Sequence, residues 1–170
     1  MFSQFFLKSA LRQIKILLLD VDGVLTDGSI CMGNQGELVK PFYVRDGFAI
    51  VYAQKKGLEI GIITGRSSEC LKRRAEDLHI TCLYQGVKDK FAVLEQILKE
   101  KNLTLQQVAY MGDDIPDLCI LKKVGLPTAP HDAVSEVKHI AKYISHKNGG
   151  KGAVRDLVEK ILKAQNLWNI

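Results

Sequence analysis

The sequence predicts an α/β protein in which a parallel sheet is covered by helices on both faces. Three observations point there. Short apolar runs alternate with stretches of helical spacing along the chain, the order that parallel strands joined by crossover helices require. Several runs, such as Ile16-Leu-Leu-Leu19, are continuously apolar, as strands buried on both faces are. Three of the runs end on polar clusters, and an open parallel sheet binds its ligands beyond the carboxyl ends of its strands.

The elements follow in order. The start, Met1-Phe-Ser-Gln-Phe-Phe-Leu-Lys8, is an apolar arm or helix that packs on something; it is too short for a signal-peptide core, and Lys8 interrupts it. Ile14–Leu19 is the first strand, broken only by Lys15. Between Asp27 and Asp46 the pattern changes: the Gly33-Asn-Gln-Gly36 centre with β-rich flanks reads as a β-hairpin over Ser29–Val44. Phe48–Lys56 has helical spacing, and Leu58–Ile63, bounded by Gly57, is a second buried strand. Ser67 and Ser68 cap a helix to about Leu78. Ile80–Tyr84 is a third strand. Asp89 caps a helix through about Lys101, with Phe91, Leu94, Ile97 and Leu98 on one face. Thr104 with Gln107 matches a capping box ahead of the fourth strand, Val108–Met111. Pro116 suits the first turn of the next helix. Val124–Pro127 reads as a fifth, short strand, and Val154–Gln165 as an amphipathic helix after the glycine-rich Asn148–Gly152.

Length and composition set the class. The 170 residues suffice for one domain with a real core, read here as residues 1–170. An apolar fraction of 46% and a charged fraction of 25% are those of a globular protein. No run approaches the ~20 residues needed to span a bilayer, so a cytoplasmic protein with no membrane partner is expected. Cys31, Cys70, Cys82 and Cys119 show no CxxC pairing and read as free thiols rather than zinc ligands or disulfides. A net charge of +5 is too modest to argue for nucleic acid, and suits a phosphorylated acid as substrate.

The chemistry lies at three strand ends: Asp20-Val-Asp22-Gly, Thr64-Gly-Arg66 and Gly112-Asp113-Asp114. Taken singly, each has a bland explanation, as a turn former or a helix cap. Gathered at one edge, the acids would repel each other without a counter-ion. Oxygen ligands with no nearby His or Cys suit Mg²⁺ far better than zinc. A carboxylate beside such a cation can attack phosphorus, and a second acid two residues on can protonate the leaving alcohol and then activate water. Thr64 and a cation, Lys90 at the start of the Asp89-capped helix, would complete a phosphate clamp.

Asp20-Val-Asp22-Gly-Val-Leu-Thr26 resembles the D-x-D-x-T/V nucleophile motif of the haloacid-dehalogenase-like phosphatases. Thr64, Lys90 and Gly112-Asp113-Asp114-x-x-Asp117 match the other three motifs in order. Within that superfamily the sequence is most similar to the capless 3-deoxy-D-manno-octulosonate (KDO) 8-phosphate phosphatases. Leu19–Gly28, Val44-Arg-Asp-Gly47, Ile63–Ser68, Tyr84-Gln-Gly86, Gly112–Leu118 and Gly149–Arg155 carry the likeness, which runs from about Lys15 to Gln165.

The resemblance implies a three-layer Rossmann-like core with a hairpin flap at about 27–46, no large cap domain, and a tail and helix at about 147–170. It implies Asp20 as nucleophile and Asp22 as general acid and then base, with Thr64 and Lys90 on the phosphoryl oxygens. Mg²⁺ would be held by Asp20, the main-chain carbonyl of Asp22, and Asp113, with Asp114 and Asp117 as outer acids. Thr26, Arg45, Gly65 and Arg66 would contact the phosphate or the sugar acid. It also implies a homotetramer in which the hairpins associate, a mobile Gly149–Gly152 segment reaching a neighbouring site, and a place in lipopolysaccharide synthesis. For that segment an ordinary loop before a helix is the equal alternative. A nonulosonate 9-phosphate phosphatase, sharing the four motifs, stays open, as does a non-catalytic tetramerisation module. A receiver domain is disfavoured, because it would split its acids between strands.

Overall fold

The computed structural model describes residues 4–34 and 36–169. Its sheet strands are β1 (Ile16–Leu19), β4 (Glu59–Ile63), β5 (Cys82–Tyr84), β6 (Val108–Met111), β7 (Leu126–Ala129) and β8 (Tyr143–Ile144), in the order β5-β4-β1-β6-β7-β8. Every neighbouring pair is parallel. Helices α2 (Val44–Lys55), α3 (Glu69–Asp77) and α7 (Ala153–Ala164) cover one face with α1 (Gln4–Gln13), and α4 (Lys90–Lys101), α5 (Leu118–Leu121) and α6 (Ser135–Ile140) cover the other. The strands serve both layers. In β1, Leu17 and Leu19 belong to one core while Ile16 and Leu18 belong to the other. Each such side chain contributes about 1.5–3 kcal/mol on full burial.

The chain leaves β1 for β4 and β5 on one side, then returns for β6, β7 and β8 on the other. β1 is therefore the point where the strand order reverses, and the crevice beyond its carboxyl end is where this architecture binds ligands. Because β1 pairs with both β4 and β6, the three polar strand ends are neighbours.

The hairpin is β2 (Cys31–Gly33) with β3 (Gly36–Val39), antiparallel and separate from the main sheet. Ser68 and Asp89 cap α3 and α4 through their side chains. Thr104 and Gln107 form the capping box, on a single 3₁₀ turn.

Two boundaries differ from the expectation. α2 begins at Val44, four residues before Phe48; its N-cap, Tyr43, makes no side-chain cap bond, so the usual Ser, Thr, Asp or Asn marker is missing. β7 begins at Leu126, two residues late, because Gly125 is held in a turn by its N–H on the Leu105 carbonyl, 2.7 Å. α6 and the two-residue β8 were not expected; both are too short to show a period. All four cysteines are free. No helix among the described residues is long and apolar enough to cross a membrane.

Candidate active site

β1 ends by passing its ladder to Asp20, whose N–H bonds the Met111 carbonyl at 3.0 Å. The chain then turns sharply. The N–H groups of Val24, Leu25 and Thr26 all bond the Val21 carbonyl, at 3.2, 2.9 and 3.0 Å. Gly23 takes φ +84° within this turn, and a Cβ there would overlap the Asp113 carboxylate. The turn therefore sets Asp20 and Asp22 on one loop and lets Asp113, from the end of β6, close against it.

Carboxylate oxygens of Asp20, Asp113 and Asp117 lie within 4.8 Å of one another. They differ in how fully they are satisfied. Asp117 is buried, its Oδ1 accepting from Lys90 Nζ (2.7 Å) and the Tyr110 hydroxyl (2.6 Å), its Oδ2 from the N–H groups of Asp113 (3.0 Å) and Asp114 (3.3 Å). Its lone pairs are thus committed to holding the β6 loop and Lys90. Lys90 Nζ also stands 3.1 Å from Asp20 Oδ1. Asp113 Oδ1, in contrast, is buried with no hydrogen-bond partner among the described residues.

The electrostatics follow from this crowding. Burial first, and then the charge of Asp117, push the Asp20 carboxyl up to about 6 against the opposing pull of Lys90. Burial and the charges of Asp117, Asp20 and Asp114 push Asp113 up to about 7, again against Lys90. For Lys90 burial favours the neutral amine, but Asp20 and Asp117 outweigh it and its pKa is raised. An all-oxygen donor set with an unpartnered buried carboxylate oxygen fits a hard divalent cation. Asp20 and Asp113 have the free oxygens to hold one.

The crevice over this cluster measures about 350 Å³, and Asp20, Asp22, Thr64, Gly65, Arg66, Lys90 and Asp113 all line it. Thr64 is buried at the end of β4, its N–H on the Tyr84 carbonyl at 3.0 Å. Two residues expected at the site lie elsewhere. The Thr26 hydroxyl is buried within the turn, accepting from the Gly28 N–H at 3.2 Å. Arg45 is exposed on the first turn of α2 and lines a separate basic cleft with Lys147 and Lys151.

Known proteins resemble this chain in sequence and fold. Residues 83–157 match the haloacid dehalogenase-like hydrolase family. The chain is 43% identical to the KDO 8-phosphate phosphatase of Salmonella typhi over 154 residues, 91% of this chain and 82% of that one. The crystal structure of the corresponding phosphatase from Yersinia pestis superposes with TM-score 0.93 at 41% identity, covering 95% of this chain and 88% of that one. The Moraxella catarrhalis phosphatase, solved with magnesium, phosphate and KDO, gives TM-score 0.93 at 38% identity, covering 96% and 94%. This chain belongs to the haloacid dehalogenase-like KDO 8-phosphate phosphatase family. It is a phosphoric monoester hydrolase.

For a member of this family the sequence concealed three features of the site. Tyr110 looks like a core residue in an apolar strand, yet its hydroxyl anchors Asp117. Lys40, at the end of the hairpin, looks like a solvated lysine, but its side chain is 2% exposed and pairs with Asp22 and with Glu37, 3.1 Å. No local pattern marks either residue. The third feature is the packing of the glycine-rich loop. Gly149 and Gly150 are buried against the nucleophile loop: the Gly150 N–H bonds the Val24 carbonyl at 2.9 Å, and a Cβ at Gly149 would overlap the Gly23 carbonyl. Packed this way, the loop braces the site of its own chain.

Proposed function

We propose that this single-domain chain is a magnesium-dependent phosphatase that hydrolyses KDO 8-phosphate to KDO and phosphate, with Asp20 as the nucleophile. The observation that carries this reading is the convergence of Asp20, Asp113 and Asp117 within 4.8 Å at the ends of β1 and β6, with Thr64 contributed by the neighbouring β4. The names of the relatives support the eight-carbon substrate over a nonulosonate 9-phosphate. On this reading the reaction belongs to lipopolysaccharide synthesis and takes place in the cytoplasm.

The reading gives each residue one part in the reaction. A carboxylate oxygen of Asp20 attacks phosphorus as the ester P–O bond breaks, leaving an acyl phosphate on Asp20. Asp22 gives its proton to the departing sugar oxygen, then takes a proton from the water that attacks the acyl phosphate. Phosphate leaves and Asp20 is restored. Thr64 and Lys90 hold the phosphoryl oxygens, and the 3.1 Å approach of Lys90 Nζ to Asp20 keeps the nucleophile oriented between turnovers. Asp20, the main-chain carbonyl of Asp22, and Asp113 are the groups assigned to Mg²⁺. Bound there, the metal neutralises the acids and draws charge from the phosphoryl oxygens.

Replacing Asp20 by Asn tests the reading directly. Phosphate release from KDO 8-phosphate should fall to background while the thermal unfolding curve stays cooperative, and EDTA should silence the wild type. Turnover retained by Asp20→Asn would remove the nucleophile assignment.

A further inference from the structure

We propose that Lys40 is a positioning residue for the general acid: it grips one oxygen of Asp22 from behind and leaves the other facing the leaving group. The proposal rests on the assignment of Asp22 as acid and base, and adds the device that aims it. Asp22, like Asp114, stays outside the Asp20–Asp113–Asp117 cluster. Lys40 Nζ pairs with Asp22 Oδ1. The second oxygen, Asp22 Oδ2, is 3.5 Å from Arg66 Nε, and Arg66 also stands 3.7 Å from Glu37 Oε1. Arg66 lines the crevice and Lys40 does not. One oxygen is thus tied to the hairpin, and the other is presented to the substrate.

The grip is itself held. Glu37 stands 3.1 Å from Lys40 Nζ and accepts a hydrogen bond from the Ser68 hydroxyl. Ser68 in turn caps α3. A lysine this buried is tolerated only when its charge is matched, and here Asp22 and Glu37 match it. When Asp22 gives its proton to the alkoxide, the carboxylate formed is already facing an ammonium group, and nothing must reorganise.

Leaving-group dependence separates this role from a structural one. An alkyl phosphate needs a proton on its departing oxygen, whereas p-nitrophenolate leaves without one. With Mg²⁺ present and only the first turnover followed by rapid quench, before acyl-phosphate hydrolysis intervenes, Lys40→Met is expected to slow release of KDO by about 10²-fold while slowing release of p-nitrophenolate by less than about threefold. Asp22→Asn, run alongside, should show the same split in that first turnover and then stall on both substrates, because the base for the second step is gone. An equal loss on both substrates, or no loss, with Asp22→Asn still showing the split, overturns the Lys40 proposal and leaves the acid assignment standing. No split in Asp22→Asn overturns the acid assignment and this proposal together. If Lys40→Met does not fold, Lys40→Gln is read by the same ratio, since it removes the charge but keeps a polar group beside Glu37.

Discussion

Gly23 and Gly57 have nearly the same backbone angle, φ +84° and +86°, but very different surroundings. Nothing lies within 4 Å of a Cβ built on Gly57, whereas one built on Gly23 strikes the Asp113 carboxylate. The pair separates backbone strain from damage to the site. Gly57→Ala should cost about 1–2 kcal/mol, the left-handed penalty alone. Gly23→Ala should cost more in denaturant titration, and should also raise the Mg²⁺ concentration needed for half-maximal activity, since Asp113 must retreat. Equal costs with unchanged metal dependence would show that Asp113 does not depend on the closeness of the loop. At this scale the acids were legible because a motif fixes them to strand ends. Lys40 and Tyr110 were not: their roles arise from tertiary pairing with Asp22 and Asp117, and sequence spacing carries no trace of it.

At the scale of elements, α7 begins without a cap of its own. Its N-cap is Gly152, which has no side chain to accept from the first turn. Asp46, in the first turn of α2, supplies the acceptor instead, its Oδ1 taking the Arg155 N–H at 2.7 Å. This cap fixes α7 to α2 and so steadies the Gly149–Gly150 brace beneath the nucleophile loop. Burial, only partly offset by the N–H groups of Arg155 and Gly152 and by the charge of Arg155, pushes Asp46 up to about 6 from its ordinary 3.8. The folded state therefore holds this proton more tightly than the unfolded chain. The associated stability is fully present below pH 3.8 and is lost as pH rises through about 6. Asp46→Asn does not titrate, so between about pH 4 and pH 7 it should gain on the wild type by about 2–3 kcal/mol. Unfolding titrations across that window check it, and a constant difference would mean that the buried carboxylate is not destabilised. The same tertiary capping explains what was hidden among the elements. Ser68 and Asp89 announced α3 and α4 from within, but α2, with no side-chain cap of its own, showed its start late.

For the whole molecule the question is what the hairpin faces. A two-stranded hairpin is marginal by itself, and β2–β3 makes no pairing with the main sheet. Its inward end is fastened by Lys40 and Glu37, while Ile30, Met32, Leu38 and Val39 are 46–63% exposed. Apolar groups gathered on one small projection are the mark of an interface. With no large cap evident over the crevice, association of hairpins is also the means by which a neighbour could help enclose the substrate and exclude water. We propose a homotetramer built on this contact, consistent with how readily the hairpin and its apolar content were read from the sequence while its partner surface was not. Sedimentation at micromolar concentration should give four times the 19.0 kDa chain mass. Met32→Lys combined with Leu38→Lys should yield a smaller species. Because these two residues lie outside the acid cluster, the variant should keep its turnover of p-nitrophenyl phosphate and lose preference for the sugar-acid substrate. A monomeric wild type would end the assembly argument. A dissociated variant with undiminished selectivity would instead place discrimination wholly within the crevice of one chain.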